Sequence, residues 1–127
     1  MSQAIQLING QWQVGLGHEV SSVNPARNEV IWHGQSASKE QVNTAVESAR
    51  SAFESWADMD IEARIAVTEK FAVLLGENKE ALAITIAQET GKPLWETRTE
   101  VGAMMGKIAI SVKANSERTG TVENPMP

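Results

Sequence analysis

The chain predicts an α+β fragment that is mainly α: an N-terminal β-hairpin and short strands, followed by about four helices. Three observations carry that expectation. Alternation with a period of two is confined to the first 36 residues. From Ser38 onward the apolar residues recur at helical spacing. The stretch Glu89-Thr90-Gly91-Lys92-Pro93 then stops one helical pattern and starts another. The expected organisation is one partial domain, with β segments over 1–36, a helical region over 37–118 and an extended tail over 119–127.

Ile5 to Val14 reads as a hairpin. Ile5 and Leu7 alternate with polar Gln6, and Asn9-Gly10 is the favoured two-residue turn because both positions tolerate positive φ. Trp12 and Val14 continue on the return strand. Gly15-Leu16-Gly17 breaks the pattern and reads as a flexible exit. As a dinucleotide fingerprint it fails, since the third glycine would fall at Val20 and no helix pattern follows. Glu19 to Val23 is a second short strand, closed by the turn Asn24-Pro25-Ala26-Arg27-Asn28, in which Pro25 presets φ and Asn24 can bond the backbone ahead of it. Glu29 to Gly34 is the next strand, and the two would pair antiparallel or join a sheet contributed from elsewhere. So small a sheet is marginal in water and calls for helices or another chain to cover it.

Ser38 and Gln41 have the spacing of a capping box. Val42, Ala45, Val46, Ala49, Ala52, Phe53 and Trp56 then mark one helix face, with Glu47, Arg50 and Glu54 toward solvent. Asp60 is placed to cap a second helix whose buried side carries Ile61, Ile65, Ala72 and Leu75, widened by Phe71 and Leu74. Gly76-Glu77-Asn78 interrupts it, and a third helix runs from about Asn78 to Thr90. Gly91 suits the C′ position of that helix, and Pro93 suits the first turn of the fourth. Val101, Met104, Met105, Ile108 and Val112 follow on one face, and the helix should last to the region of Asn115 to Glu117. Gly120 to Pro127 holds two X-Pro steps without periodicity and reads as extended or disordered.

Composition narrows the function classes. With 127 residues the chain suits one small domain, and its net charge of -5 argues against a nucleic-acid partner. It has no cysteine, hence no disulfide, no thiolate nucleophile and no thiolate-bound metal. No apolar run approaches the ~18 residues of a membrane span, and the N-terminus lacks the layout of a signal peptide, so a cytoplasmic protein is expected.

A search for chemistry finds little. His18 and His33 lack the i,i+4 or carboxylate context of a metal site and read as surface or strand-end residues. Gly91-Lys92 is not the end of a phosphate loop: Pro93 stands where Ser or Thr is needed, and Ile86 where the first glycine belongs. No serine has a histidine and an acid at interpretable spacing. Glu96 and Glu100, one turn apart at the start of a helix, answer the helix dipole more naturally than they perform acid–base work. Met104-Met105 reads as core filler that would also suit a pocket wall.

Ile8-Asn9-Gly10-Gln11-Trp12, Val23-Asn24-Pro25-Ala26, the Ala45/Ala49/Ala52-Phe53/Trp56 helix and Glu89-Thr90-Gly91-Lys92-Pro93 resemble, in order and spacing, the N-terminal segment of the NAD-dependent aldehyde dehydrogenases. Glu100-Val101-Gly102-Ala103-Met104-Met105 and Lys107-Ile108-Ala109-Ile110-Ser111-Val112-Lys113 most resemble members that oxidise N-succinylglutamate 5-semialdehyde in arginine catabolism. The resemblance implies the helical part of a cofactor domain without its Rossmann sheet. It implies NAD in the parent enzyme, thiolate attack on an aldehyde, hydride transfer and thioester hydrolysis. The catalytic cysteine, general-base glutamate, oxyanion asparagine and nucleotide-binding βαβ units belong to later sequence in the family, so this chain alone is expected to be inactive and to bind no nucleotide.

Site residues follow from the resemblance only. The helix after the Gly-Lys-Pro corner lines the family's substrate entrance, which places Met104, Met105 and Lys107 there; a solvated surface lysine is the plainer reading of Lys107. Some members hold a monovalent cation between the carbonyl before Asn-Pro, here Val23, and the acid opening the corner, here Glu89; a helix-end acid without an ion is the plainer reading. Implied partners are other copies of the chain in a homo-oligomer and the missing C-terminal part of the enzyme, with neither nucleic acid nor membrane. The competing expectation is a self-sufficient helical interaction module without enzymatic ancestry.

Overall fold

A computed structural model describes residues 5 to 120. The order is β1 (Ile5–Ile8), β2 (Gln11–Val14), β3 (Glu19–Asn24), β4 (Glu29–Gln35), α1 (Lys39–Ala57), α2 (Ile61–Glu77), α3 (Lys79–Thr90) and α4 (Leu94–Arg118). The strands form two separate antiparallel pairs, β1–β2 and β3–β4. Expected tail residues 121–127 lie outside the described residues.

The first hairpin turns at Asn9 and Gly10, both at positive φ (51° and 71°), which sets Leu7 opposite Trp12. In the second pair the turn is held by Asn24: its side-chain oxygen accepts the Ala26 N–H at 3.0 Å and its carbonyl accepts the Asn28 N–H at 2.7 Å. The Gly15-Leu16-Gly17 exit is not loose, as the sequence suggested. A Cβ on Gly15 would lie 2.2 Å from the Gln35 carbonyl oxygen, and Gly17 donates its N–H to Ser36 at 2.7 Å. The glycines let two backbones touch.

The capping box at Ser38 forms in full. Gln41 then goes beyond capping. Its side-chain oxygen accepts from the N–H groups of Leu16 and Ser38, and its amide nitrogen donates to the Val14 carbonyl at 2.9 Å and to the Gln13 side chain. This buried amide ties the start of α1 to the exit of β2. Asp60 occupies the N-cap of α2 but makes no side-chain cap bond.

The core lies where α4 crosses α2 and α3. Val101 and Ala83 are fully buried, and Leu75 nearly so. Buried Thr97 sends its hydroxyl across to the Ala83 carbonyl at 2.8 Å, so a polar group in the core is satisfied between helices rather than within one.

Two expected burial faces do not hold. On α1, Val42, Val46, Phe53 and Trp56 are exposed, Phe53 by 61%. The helix touches β1, and no other described element packs on its apolar stripe closely. On α2, Ile61, expected on the buried side, is exposed at the helix start, and Phe71 and Leu74 turn outward rather than widening the buried stripe, because α4 packs on the Ile65, Ala72 and Leu75 side. Amphipathic pattern locates a face that wants cover; it does not supply the cover.

Candidate functional site

The α3–α4 corner is built from its sequence upward. Gly91 sits at φ 74°, in the left-handed region that ends α3, and its N–H returns to the Ala87 carbonyl. A Cβ there would come within 3.0 Å of the Pro25 ring, so the corner is pressed against the Asn24–Asn28 turn. The structure thus brings together two of the sequence motifs, one from each side of the expected cation site. Val23 is part-exposed on β3 and Glu89 is exposed at the end of α3.

Charges then lace the corner. Lys92 pairs with Glu100 and approaches Glu96 at 3.7 Å. The Glu100 hydrogen bond, with its charge, raises the lysine above its usual range. The glutamates therefore answer a lysine across the corner as well as the helix N-terminus. Arg98 grips Glu80 with two bonds, at 2.9 and 2.6 Å, and this fork holds the Glu80 carboxyl below the ordinary carboxylate value. Both networks span α3 and α4 or the loop between them.

Of the three expected entrance residues, the structure separates one from the others. Met105 faces α2, its methyl close enough that a Cβ on Gly76 would meet it at 3.0 Å. Met104 and Lys107 are exposed. With Ala103, Gly106 and Ile110 they form an open flank of α4.

A cleft of about 370 Å³ opens between the end of α1, α2 and the second half of α4. Trp56, Ile61, Ile65, Ile108 and Val112 form its walls, and Arg64 lines it. The sequence reading missed Arg64, although positions 61, 64, 65 and 68 share one helix face and mark the arginine as an ion set among apolar residues. Histidines build no metal centre: His18 Nδ1 lies 3.1 Å from the Ser36 hydroxyl, and among the described residues no group of three His, Cys, Asp or Glu could hold a metal.

Two hairpins, a three-helix core and a glycine corner pressed against an Asn-Pro turn make an arrangement that recurs in a known family. The aldehyde dehydrogenase family model matches residues 12–126, and the chain belongs to that family. Solved structures agree. An NAD-dependent benzaldehyde dehydrogenase from Corynebacterium glutamicum superposes with a TM-score of 0.83 at 25% identity, over 95% of this chain and 27% of that one. An aldehyde dehydrogenase from Bacillus cereus gives 0.86 at 28% identity, over 98% and 26%. Aldehyde dehydrogenase C from Pseudomonas syringae, a mutant in complex with NAD+ and octanal, gives 0.84 at 32% identity, over 96% and 26%. The chain spans about a quarter of the length of these structures. No helix among the described residues is long and apolar enough to cross a membrane.

Proposed function

We propose that this chain is the N-terminal segment of an NAD-dependent aldehyde dehydrogenase that oxidises N-succinylglutamate 5-semialdehyde to N-succinylglutamate in arginine catabolism, in the cytoplasm and as a homo-oligomer. The observation that carries the oxidoreductase reading is the family match over nearly the whole chain, joined to the Asn-Pro turn against the Gly-Lys-Pro corner. The substrate rests on the wording of residues 100–105 and 107–113. The neighbours' names span aromatic and aliphatic aldehydes, and each is a property of its own protein.

In this reading the 127-residue chain is a scaffold without the reacting groups, because it has no cysteine to form a thioester. Purified chain given NAD and the semialdehyde should produce no NADH absorbance and show no NAD-dependent shift in melting temperature. NADH formation by the chain itself would overturn the reading.

Met104, Met105 and Lys107 belong to the substrate entrance in the same proposal. The exposure of Met104 and Lys107 supports it, and the ammonium suits the carboxylates of a dicarboxylic aldehyde. In the complete enzyme, Lys107→Ala should raise KM for this substrate by about tenfold and leave KM for an uncharged aldehyde unchanged. Equal KM values for the dicarboxylic aldehyde in both enzymes would remove Lys107 from the entrance.

A monovalent cation between the Val23 carbonyl and the Glu89 carboxylate completes the proposal. The contact of Gly91 with Pro25 draws their elements together, and a lone acid with carbonyl oxygens suits a singly charged, oxygen-seeking ion.

A further inference from the structure

Asn9-Gly10 is more than a tight turn: it sets a side-chain amide beside a backbone nitrogen that nothing shields. Both residues are exposed and stand at positive φ, outside the ladder that ends with Ile8 opposite Gln11. Among the described residues the Asn9 amide makes no hydrogen bond, and the Gly10 N–H donates to none. A Cβ built on Gly10 would meet nothing within 4 Å, so no neighbour guards the approach. Under these conditions an asparagine amide is attacked by its own chain: the nucleophile is the next residue's nitrogen, which must be uncrowded and not held in a helix or a ladder. The other asparagines lack such a nitrogen or a free amide. Asn24 and Asn124 precede proline, which has no N–H. Asn43 and Asn115 lie inside α1 and α4, where the following N–H groups belong to the helix ladder. Asn78 donates its amide to the Leu74 carbonyl at 2.8 Å, and Asn28 precedes Glu29, a strand residue paired with Asn24.

We propose that Asn9 is a spontaneous modification site, converted in the folded chain to isoaspartate and aspartate through a cyclic imide. The Gly10 nitrogen gives its proton to hydroxide and bonds to Asn9 Cγ. The Cγ–Nδ2 bond breaks, and Nδ2 takes a proton from water and leaves as ammonia. Water then opens the imide. Addition at Cγ returns aspartate; addition at the main-chain carbonyl of Asn9 breaks its bond to Gly10 and routes the chain through Cγ as isoaspartate. Nothing is oxidised or reduced, and a neutral amide becomes a carboxylate on a chain already at net charge -5. Isoaspartate adds a backbone carbon to a two-residue turn whose length fixes Leu7 opposite Trp12. The register therefore slips, and the slip pulls against Gln41, which holds Gln13 and the Val14 carbonyl. The site stands apart from the α3–α4 corner and does not depend on the catalytic reading above.

Chain kept in mildly alkaline buffer, with a parallel sample in guanidinium chloride, is labelled by an isoaspartyl carboxyl methyltransferase and mapped by peptide mass spectrometry. Label should rise with time in the folded sample and be confined to the peptide that holds Asn9. Gly10→Ala should lose it over the same incubation. Asn9→Gly should lose it too, and because a Gly-Gly turn keeps the hairpin, this comparison stands even where Gly10→Ala disturbs the fold. The acidic species separated by anion exchange should lose amide-exchange protection over β1 and β2 and keep it in α4. Absence of label from the folded chain overturns the proposal, and label in the denatured sample alone would assign that protection to the turn. Label on Asn43, Asn78 or Asn115 in place of Asn9 overturns it as well. Full protection of β1 and β2 in the acidic species overturns the slip in register.

Discussion

Gln41 joins two parts of the chain that have little else in common. Its amide serves Leu16, Ser38, Gln13 and Val14 at once, and the residue is only 6% exposed. Truncation removes the reciprocal half of the capping box and leaves the Val14 carbonyl and Leu16 N–H without their partner. Gln41→Ala should lower unfolding free energy by about 2–3 kcal/mol, the sum of a cap and an orphaned buried group. The check is a urea titration in which the midpoint falls while the slope is kept. A loss below about 0.5 kcal/mol, the scale of ordinary surface substitutions, would mean that water takes over these bonds at no cost. The three-residue spacing from Ser38 to Gln41 said nothing of this role. Capping was readable because it is local; the reach back to β2 depends on tertiary placement, which no short spacing encodes.

At the scale of elements, the α3–α4 pair is held by Thr97 within and by charge outside. Glu80 is lowered chiefly by its hydrogen bonds to Arg98, so the ionised form is favoured in the fold. Its contribution is therefore present above its ordinary value of 4.5 and lost as pH falls through the lowered one. Lys92 runs the other way: raised by Glu100, its contribution is present below its ordinary value of 10.5 and is lost as pH climbs beyond it. Both pairs are exposed and salt will weaken them. Arg98→Gln should flatten the drop in melting temperature between neutral pH and about pH 3, measured at low salt, because the Glu80 share of that drop disappears. An unchanged acid limb would show that the fork contributes nothing in solution. These pairings were not legible in the sequence, since Glu80 and Arg98 sit 18 residues apart on different helices. What was legible at this scale was chemistry that acts within a few residues: the Asn9-Gly10 turn, the Asn24-Pro25 turn and the stop at Gly91 all appear where the residue types demand them. Burial was misread where no described element packs closely on the face, as on α1 and at Ile61, Phe71 and Leu74.

The whole molecule exposes 9947 Å² of surface, against about 6,600 Å² for a compact monomer of 13.8 kDa. That excess of about 3,300 Å² is above one partner's share of an obligate interface, roughly 1,000–2,500 Å². Much of it is apolar and arranged on two faces, Val42–Val46–Phe53 of α1 and Val67–Phe71–Leu74 of α2. The chain spans about a quarter of its neighbours' length, and apolar faces of this kind are surfaces that another element or chain would cover. The consequence is direct. In the isolated chain Val46 and Phe53 are each 61% exposed, so replacing both with glutamate costs little packing. Val46→Glu/Phe53→Glu should therefore leave unfolding free energy within about 1 kcal/mol of the parent chain, while cutting fluorescent-dye binding and moving any self-associated species toward monomer on a sizing column. Within the longer enzyme proposed above, the same double substitution should do the opposite and impair soluble assembly, because cover over this face would bury two carboxylates without partners. A chain that unfolds on this substitution would show instead that α1 already packs against its own helices, and the excess surface would need another origin.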